Sequence, residues 1–172
     1  MKSVPNLRRQ LSLILPEPER SMFDIVRAEI DPIQHSLISA HITLCREDEI
    51  KDWLPIQNRL SSLSYKEFSI SFDSPICRND NCILLPHNSS STQYSELREY
   101  LLQDTDIAVR QSMAHITLFH PRNKTGKTII VPKFHELDFP IKIRFDTVSL
   151  IEQICGQAWQ ELNNYPLCVN DL

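Results

Sequence analysis

An α+β fold is what this sequence predicts: internally duplicated into two lobes, with antiparallel sheets facing a central cleft and helices outside. Three observations lead there. Segments with strand-type alternation are interleaved with segments of helical period. Turn residues join some strands directly into hairpins. One pentapeptide occurs twice, unchanged and in matching surroundings, as an internal duplication would leave it.

The elements follow in order. Gln10 to Leu15 alternates as a strand and is closed by Pro16 and Pro18. Glu19 to Ile30 reads as a helix with Met22, Ile25, Val26 and Ile30 along one face. A turn at Asp31-Pro32 leads into a strand over Leu37 to Cys45. Asp52 is placed to cap a helix reaching about Leu63, and Pro55 is tolerated there because first-turn amides lack intrahelical partners.

The second half repeats this rhythm. Glu67 to Asp73 puts Phe68, Ile70 and Phe72 on one strand face. The turn Arg78 to Asn81 returns the chain as a strand over Cys82 to Leu85, which predicts a hairpin. Ser90 and Gln93 suggest a capping box for a helix to about Gln103, with Tyr94, Leu97 and Leu101 inward. A strand over Met113 to Phe119 follows, then a polar loop from Pro121 to Thr128 and a short helical stretch around Phe134 to Leu137. Ile141 to Ile154 is strand-rich, and Ala158 to Leu162 reads as a final strand.

At 172 residues the chain suits a single domain spanning 1–172, with one motif per lobe at 40–44 and 114–118. Such a length buries about 70% of the unfolded surface and needs no covalent staple. Only Gly126 and Gly156 are glycines, which removes mechanisms built on a glycine-rich phosphate loop. The net charge of −4 argues against wrapping long nucleic acid and for a small substrate or a strand end. The N-terminal apolar stretch, Leu11 to Leu15, is too short for a signal core or a membrane span. Five cysteines without a secretion signal suggest thiols in a cytoplasm, with a Cys77–Cys82 disulfide conceivable only after oxidation.

The repeat carries the chemistry. Ala40-His41-Ile42-Thr43-Leu44 recurs as Ala114-His115-Ile116-Thr117-Leu118. Successive strand side chains point to opposite faces, so alanine, isoleucine and leucine take the core while histidine and threonine turn away together. Two lobes would bring two His-Thr pairs to one cleft. An imidazole pKa of about 6.5 lets one histidine be neutral and the other protonated near neutral pH. One then takes a proton from the attacking hydroxyl or water, and the other supplies one to the leaving oxygen. The threonine hydroxyls can donate to phosphoryl oxygens.

This double His-x-Thr-x motif resembles that of the 2H phosphoesterase superfamily, which includes 2′-5′ RNA ligase-like proteins and cyclic phosphodiesterases. The likeness runs from the strand at Gln10–Leu15 to the closing stretch Phe145 to Leu167. It implies a metal-independent phosphoesterase acting on 2′,3′-cyclic phosphate, 2′-5′ or RNA 3′-end phosphodiester bonds, reversible as ligation. It makes His41 and His115 the acid-base pair and Thr43 and Thr117 the phosphate ligands. Relatives often have proline before each histidine, where this chain has alanine. They often have arginine five residues after the second histidine; here that position is His120, followed by Arg122, while the matching residue after the first histidine is Arg46. Arg46, His120 and Arg122 are therefore the further candidates for phosphate binding.

Plainer readings stand beside these. One His-x-Thr alone is a weak signal, and both threonines could serve only as strand formers. His35 with His41, and His115 with His120, lack the cysteine or carboxylate partners of zinc sites, so no metal or cofactor is expected. Arg122, Lys124, Lys127 and Lys133 form either a solvated loop or a hold on the phosphodiester. Trp53 and Trp159 read as core. The expected partner is a small nucleotide or RNA terminus, met by a monomer in the cytoplasm and away from membranes. The competing function is a catalytically idle RNA- or nucleotide-binding module of the same fold.

Overall fold

A computed structural model describes residues 6–50, 52–88, 92–105, 109–123, 130–134 and 137–169. The first sheet has the order β2-β1-β8-β9, from His41–Cys45, Leu7–Ile14, Thr147–Ile154 and Gln160–Pro166. In the second half β3 (Phe68–Phe72) pairs with β7 (Ile141–Phe145), and β5 (Ile83–Pro86) lies between β4 (Ile76–Cys77) and β6 (His115–Phe119). A bridge between Phe72 and His87 ties β3 to the end of β5. Every pairing between named strands is antiparallel. The helices are α1 (Glu19–Ile30), α2 (Pro32–Leu37), α3 (Trp53–Ser61) and α4 (Thr92–Leu102).

The duplication is visible in hydrogen-bond register. Ser12 faces Thr43 and Ile14 faces His41, with a bulge between Leu11 and Ser12. In the second copy Leu84 faces Thr117 and Pro86 faces His115, with a bulge between Ile83 and Leu84. Even the next bond is matched, from Leu15 N to Ala40 O (3.1 Å) and from His87 N to Ala114 O (3.2 Å). The two motif strands share one burial pattern, in which Ile42, Leu44, Ile116 and Leu118 enter the core while His41, Thr43, His115 and Thr117 are half-buried. Each such aliphatic side chain contributes about 1.5–3 kcal/mol by leaving water, which holds the alternation in place.

Several boundaries differ from expectation. The Asp31-Pro32 turn is the start of α2: Asp31 accepts from Gln34 N (3.0 Å) and Pro32 occupies the first helical position. The motif strand consequently begins at His41 rather than Leu37, and its twin at His115 rather than Met113. On α1 Phe23 and Arg27 take the core side, which turns Ile25 outward to 72% exposure because residues two apart on a helix lie about 200° apart. Asp52 caps α3 as expected, accepting from Leu54 N. The hairpin strand opposite β5 is β4, whereas β3 is paired with β7. Ser90 lies outside the described residues, and so do His135 and Glu136; Phe134 and Leu137 sit in irregular chain. Asp146 divides the long strand-rich stretch, and the final strand runs Gln160–Pro166.

All five cysteines are free thiols. Cys77 is paired with Ile83 in the ladder, so it does not sit directly opposite Cys82, whose thiol burial pushes up to about 11.

One buried ion pair joins the halves. Arg98 of α4 donates to both carboxylate oxygens of Glu49 and to the carbonyl of Leu44, and both side chains are only 2% exposed. Removing one partner of a buried pair strands the other charge. Glu49→Ala should therefore cost about 3–5 kcal/mol in urea denaturation. Glu152→Ala, which breaks the more exposed pair with Arg9 (38% and 13% exposed), should cost under about 1 kcal/mol. Similar costs for the two would contradict this account.

Candidate functional site

The two histidines are held alike. His41 Nδ1 is bonded to the carbonyl of Ser39 (2.8 Å), and His115 Nδ1 to the carbonyl of Met113 (2.9 Å). A carbonyl only accepts, so each ring carries its hydrogen on Nδ1 when neutral. Nε2 is left as the atom that can take or give a proton. The contact is local in both copies, made by the carbonyl of the residue two positions before the histidine.

Both rings line one cleft of about 230 Å3 together with Thr43, Thr117, Arg46, His120 and Arg122. All seven residues expected from the sequence are thus brought to one place. Burial pushes the His41 imidazole down to about 4, helped by the Arg27 guanidinium and by the proximity of His115, against the opposing Ser39 carbonyl and Asp24. His41 is therefore neutral at physiological pH.

His120 lines the cleft and is bonded to its neighbour Arg122. Its Nδ1 accepts from the backbone N–H of Arg122 (3.2 Å) and from Arg122 Nε (3.1 Å), which orients the guanidinium. Its backbone N–H donates to the buried Asp31 carboxylate (2.8 Å). Burial and the Arg122 charge lower its pKa from the ordinary imidazole value. Arg46 is anchored differently, its backbone N–H donating to Glu49 and its guanidinium paired with Asp48 at 3.4 Å.

Eight further cleft residues escaped the sequence reading, among them Arg8, Arg27, Gln34 and Trp159. Arg27 and Gln34, from α1 and α2, are buried in its wall. Arg8 pairs with Glu47 and places its guanidinium carbon 5.2 Å from the centre of the Trp159 ring. Trp159 is accordingly half-buried at the cleft and not core, while Trp53 packs against the core as expected. Arg8 lies two residues before Gln10, where the sequence-read strand begins, so extending the alternation back from Gln10 places both on the cleft face. Arg27 gave no signal, since an arginine in an amphipathic helix ordinarily faces water. Of the basic loop, Lys133 is exposed and Lys124 and Lys127 lie outside the described residues. Among the described residues no group of three or more His, Cys, Asp or Glu side chains is placed to hold a metal ion, and no helix is long and apolar enough to cross a membrane.

This architecture is that of the LigT-like phosphoesterase fold. The structure of E. coli LigT complexed with NADP+ is similar to this chain with a TM-score of 0.65 at 17% identity, covering 95% of this chain and 99% of LigT. LigT in its apo form gives 0.63 at 17% identity over 96% and 99%. A further structure described as a phosphoesterase gives 0.57 at 14% identity over 93% and 98%. No family model matches the sequence, and no curated protein matches it. The likeness inferred from the two motifs therefore holds at the level of the fold.

The depressed His41 pKa has a thermodynamic consequence. An unfolded histidine titrates near 6.5 and folded His41 near 4, so between these values the unfolded chain binds a proton that the folded chain does not. His41 thereby withdraws stability as pH falls from about 6.5 to about 4. Carboxylates add their own pH dependence, so the comparison is with His41→Gln, which should lose less stability than wild type between pH 7 and pH 4.5 in urea denaturation. Equal losses would show that the imidazole is not held neutral by the fold.

Proposed function

We propose that this protein is a phosphoesterase that cleaves a 2′,3′-cyclic, 2′-5′ or RNA 3′-end phosphodiester by two-histidine acid-base catalysis, without a metal in the mechanism. The observation that carries this reading is the pair of histidines, each pinned through Nδ1, lining one cleft beside two threonines. The nucleotide complexes of LigT support a nucleotide or RNA end as the substrate, since LigT has been seen with NADP+ and with 3′-AMP.

In the hydrolytic direction neutral His41 takes the proton of the attacking water through Nε2. His115, in its protonated form, gives a proton to the leaving oxygen. Thr43 and Thr117 donate to the non-bridging oxygens as negative charge gathers there, and Arg122, aimed by His120, adds positive charge. Ligation of a 2′,3′-cyclic end uses the same groups with a strand-end hydroxyl in place of water, His41 taking its proton and His115 giving one to the ring oxygen that leaves. The thiols suit a reducing cytoplasm, and we take the working unit to be a monomer.

His41→Ala and His115→Ala should each lower kcat by about 10²-fold or more with little change in thermal melting, because each removes a proton-transfer group. Activity on the best of a panel of cyclic nucleotides, 2′-5′ dinucleotides and RNA ends should survive chelator. Its pH profile should fall towards low pH as His41 becomes protonated near 4, and fall again at high pH when the acid has lost its proton. A rate that rises steadily from pH 5 to 9 points instead to another base. Binding of nucleotides with no turnover across the panel would favour an idle binding module of the same fold.

The threonines are separable from strand formation. Thr43→Val and Thr117→Val keep the β-branched shape and delete the donor, so kcat should fall by more than KM rises. Serine at the same positions should restore much of the rate. Valine and serine variants of equal activity would reduce both threonines to strand formers.

A further inference from the structure

Two polar atoms in the cleft wall have no hydrogen-bond partner among the described residues. Arg27 is 1% exposed, and although its Nη1 donates to Asp24 (2.6 Å), its Nε is buried without an acceptor. Gln34 is 8% exposed, and its Oε1 is buried without a donor. Both side chains line the cleft that holds His41, and the charge of Arg27 acts on that histidine. The two residues are joined through Asp31, whose backbone N–H donates to Arg27 O (2.8 Å) and whose carboxylate accepts from Gln34 N (3.0 Å).

Leaving such groups unpaired in a folded interior costs about 1–3 kcal/mol each, so nearly all buried polar atoms find partners. Two orphans on one wall, one donor and one acceptor, are the complement of a single small group that both accepts and donates. A hydroxyl is the simplest such group. We propose that Arg27 Nε and Gln34 Oε1 form a subsite for a ribose hydroxyl, the one vicinal to the carbon bearing the phosphate, which is free in a 2′-5′ or 3′-end phosphodiester and is released when a 2′,3′-cyclic phosphate opens. This rests on reading the cleft as a phosphoester site. Arg27 Nε donates to the hydroxyl oxygen and the hydroxyl donates to Gln34 Oε1, while the phosphoryl group lies against the histidines and threonines. The subsite therefore senses the sugar, and the paired motifs sense the phosphate.

The subsite predicts an unusual pairing of effects. Gln34→Met keeps the volume and removes a buried acceptor that lacks a partner, so it should leave the melting temperature unchanged or raise it. It should weaken binding only of ligands that carry the hydroxyl. The probes are adenosine 3′-monophosphate and its 2′-deoxy counterpart, titrated calorimetrically against the full chain. Wild type should prefer the ribose form by about tenfold or more, the size of one hydrogen bond to a buried group. Gln34→Met and Arg27→Lys, which keeps the charge beside Asp24, should bind both forms about equally. Equal binding of the two forms by wild type, or a ribose preference retained in Gln34→Met, or a Gln34→Met protein that melts well below wild type, overturns the subsite. Binding of neither form by wild type overturns it too. Hydrolysis without ribose discrimination sinks this inference alone, and discrimination without hydrolysis sinks the catalytic reading alone.

Discussion

The two strands that carry the histidines lie at the edges of their sheets, and an edge strand has one row of backbone groups with no neighbouring strand to satisfy it. Side chains from distant parts of the chain fill that need. Tyr94 of α4 donates its hydroxyl to Thr43 O (2.8 Å), and Arg98, one turn on, donates to Leu44 O. Asp31, at the head of α2, accepts from His120 N just beyond the end of β6, and from the Asn123 amide (2.8 Å). Helices thus grip the opposite half through backbone groups that a wider sheet would have consumed. The constraint decides the position of everything else: the edges are held together, and the side chains that point away from the core meet at the seam.

Symmetry of backbone does not make the two histidines equivalent. Phe23 and Arg27 on α1 correspond in pattern to Tyr94 and Arg98 on α4, an aromatic and a buried arginine one turn apart. Arg98 is consumed by Glu49 and by two carbonyls. Arg27 has Asp24 as its one hydrogen-bonding side-chain partner among the described residues and stands in the cleft, where its charge acts on His41. Duplication supplied two similar arginines; their different partners leave one as a structural tie and the other facing the site. Such a difference biases which of the two rings is the neutral one, whereas two rings in identical surroundings would share the single-proton state equally.

The site was more legible than the chain around it, for a physical reason. Period-two alternation in Ala-His-Ile-Thr-Leu states which side chains share a face, and its repetition states that the face is used twice. Neither inference depends on long-range contacts. Strand pairing does, and β3 was accordingly joined to the wrong partner: Phe68 to Phe72 faces Ile141 to Phe145, some seventy residues away, and no local pattern encodes that distance. The Asp31-Pro32 pair is as good a turn as a helix start, and it is the contacts of Asp31 with His120 and Asn123 of the other half that make it a tie point. Arg27, Gln34 and Trp159 escaped for the same reason. An arginine or glutamine is buried only when the fold closes over it, and the side of a tryptophan that faces a cleft is set by a strand pairing formed elsewhere.

Charge in the cleft reconciles an acidic chain with the anionic substrate proposed for it. Arg8, Arg27, Arg46 and Arg122 line it, although the whole chain carries a net charge of −4. On the side of β2 each guanidinium is held by a carboxylate: Arg8 by Glu47, Arg27 by Asp24 and Arg46 by Asp48. On the side of β6 Arg122 is held by the neutral-leaning ring of His120 instead. A paired arginine keeps its directed N–H groups while its field is largely cancelled at a distance, so three of the four read shape at contact range. Arg122 retains more of its field. Such a distribution suits recognition of one phosphoryl group at close quarters, and it lacks the continuous basic face by which proteins track a long phosphate backbone.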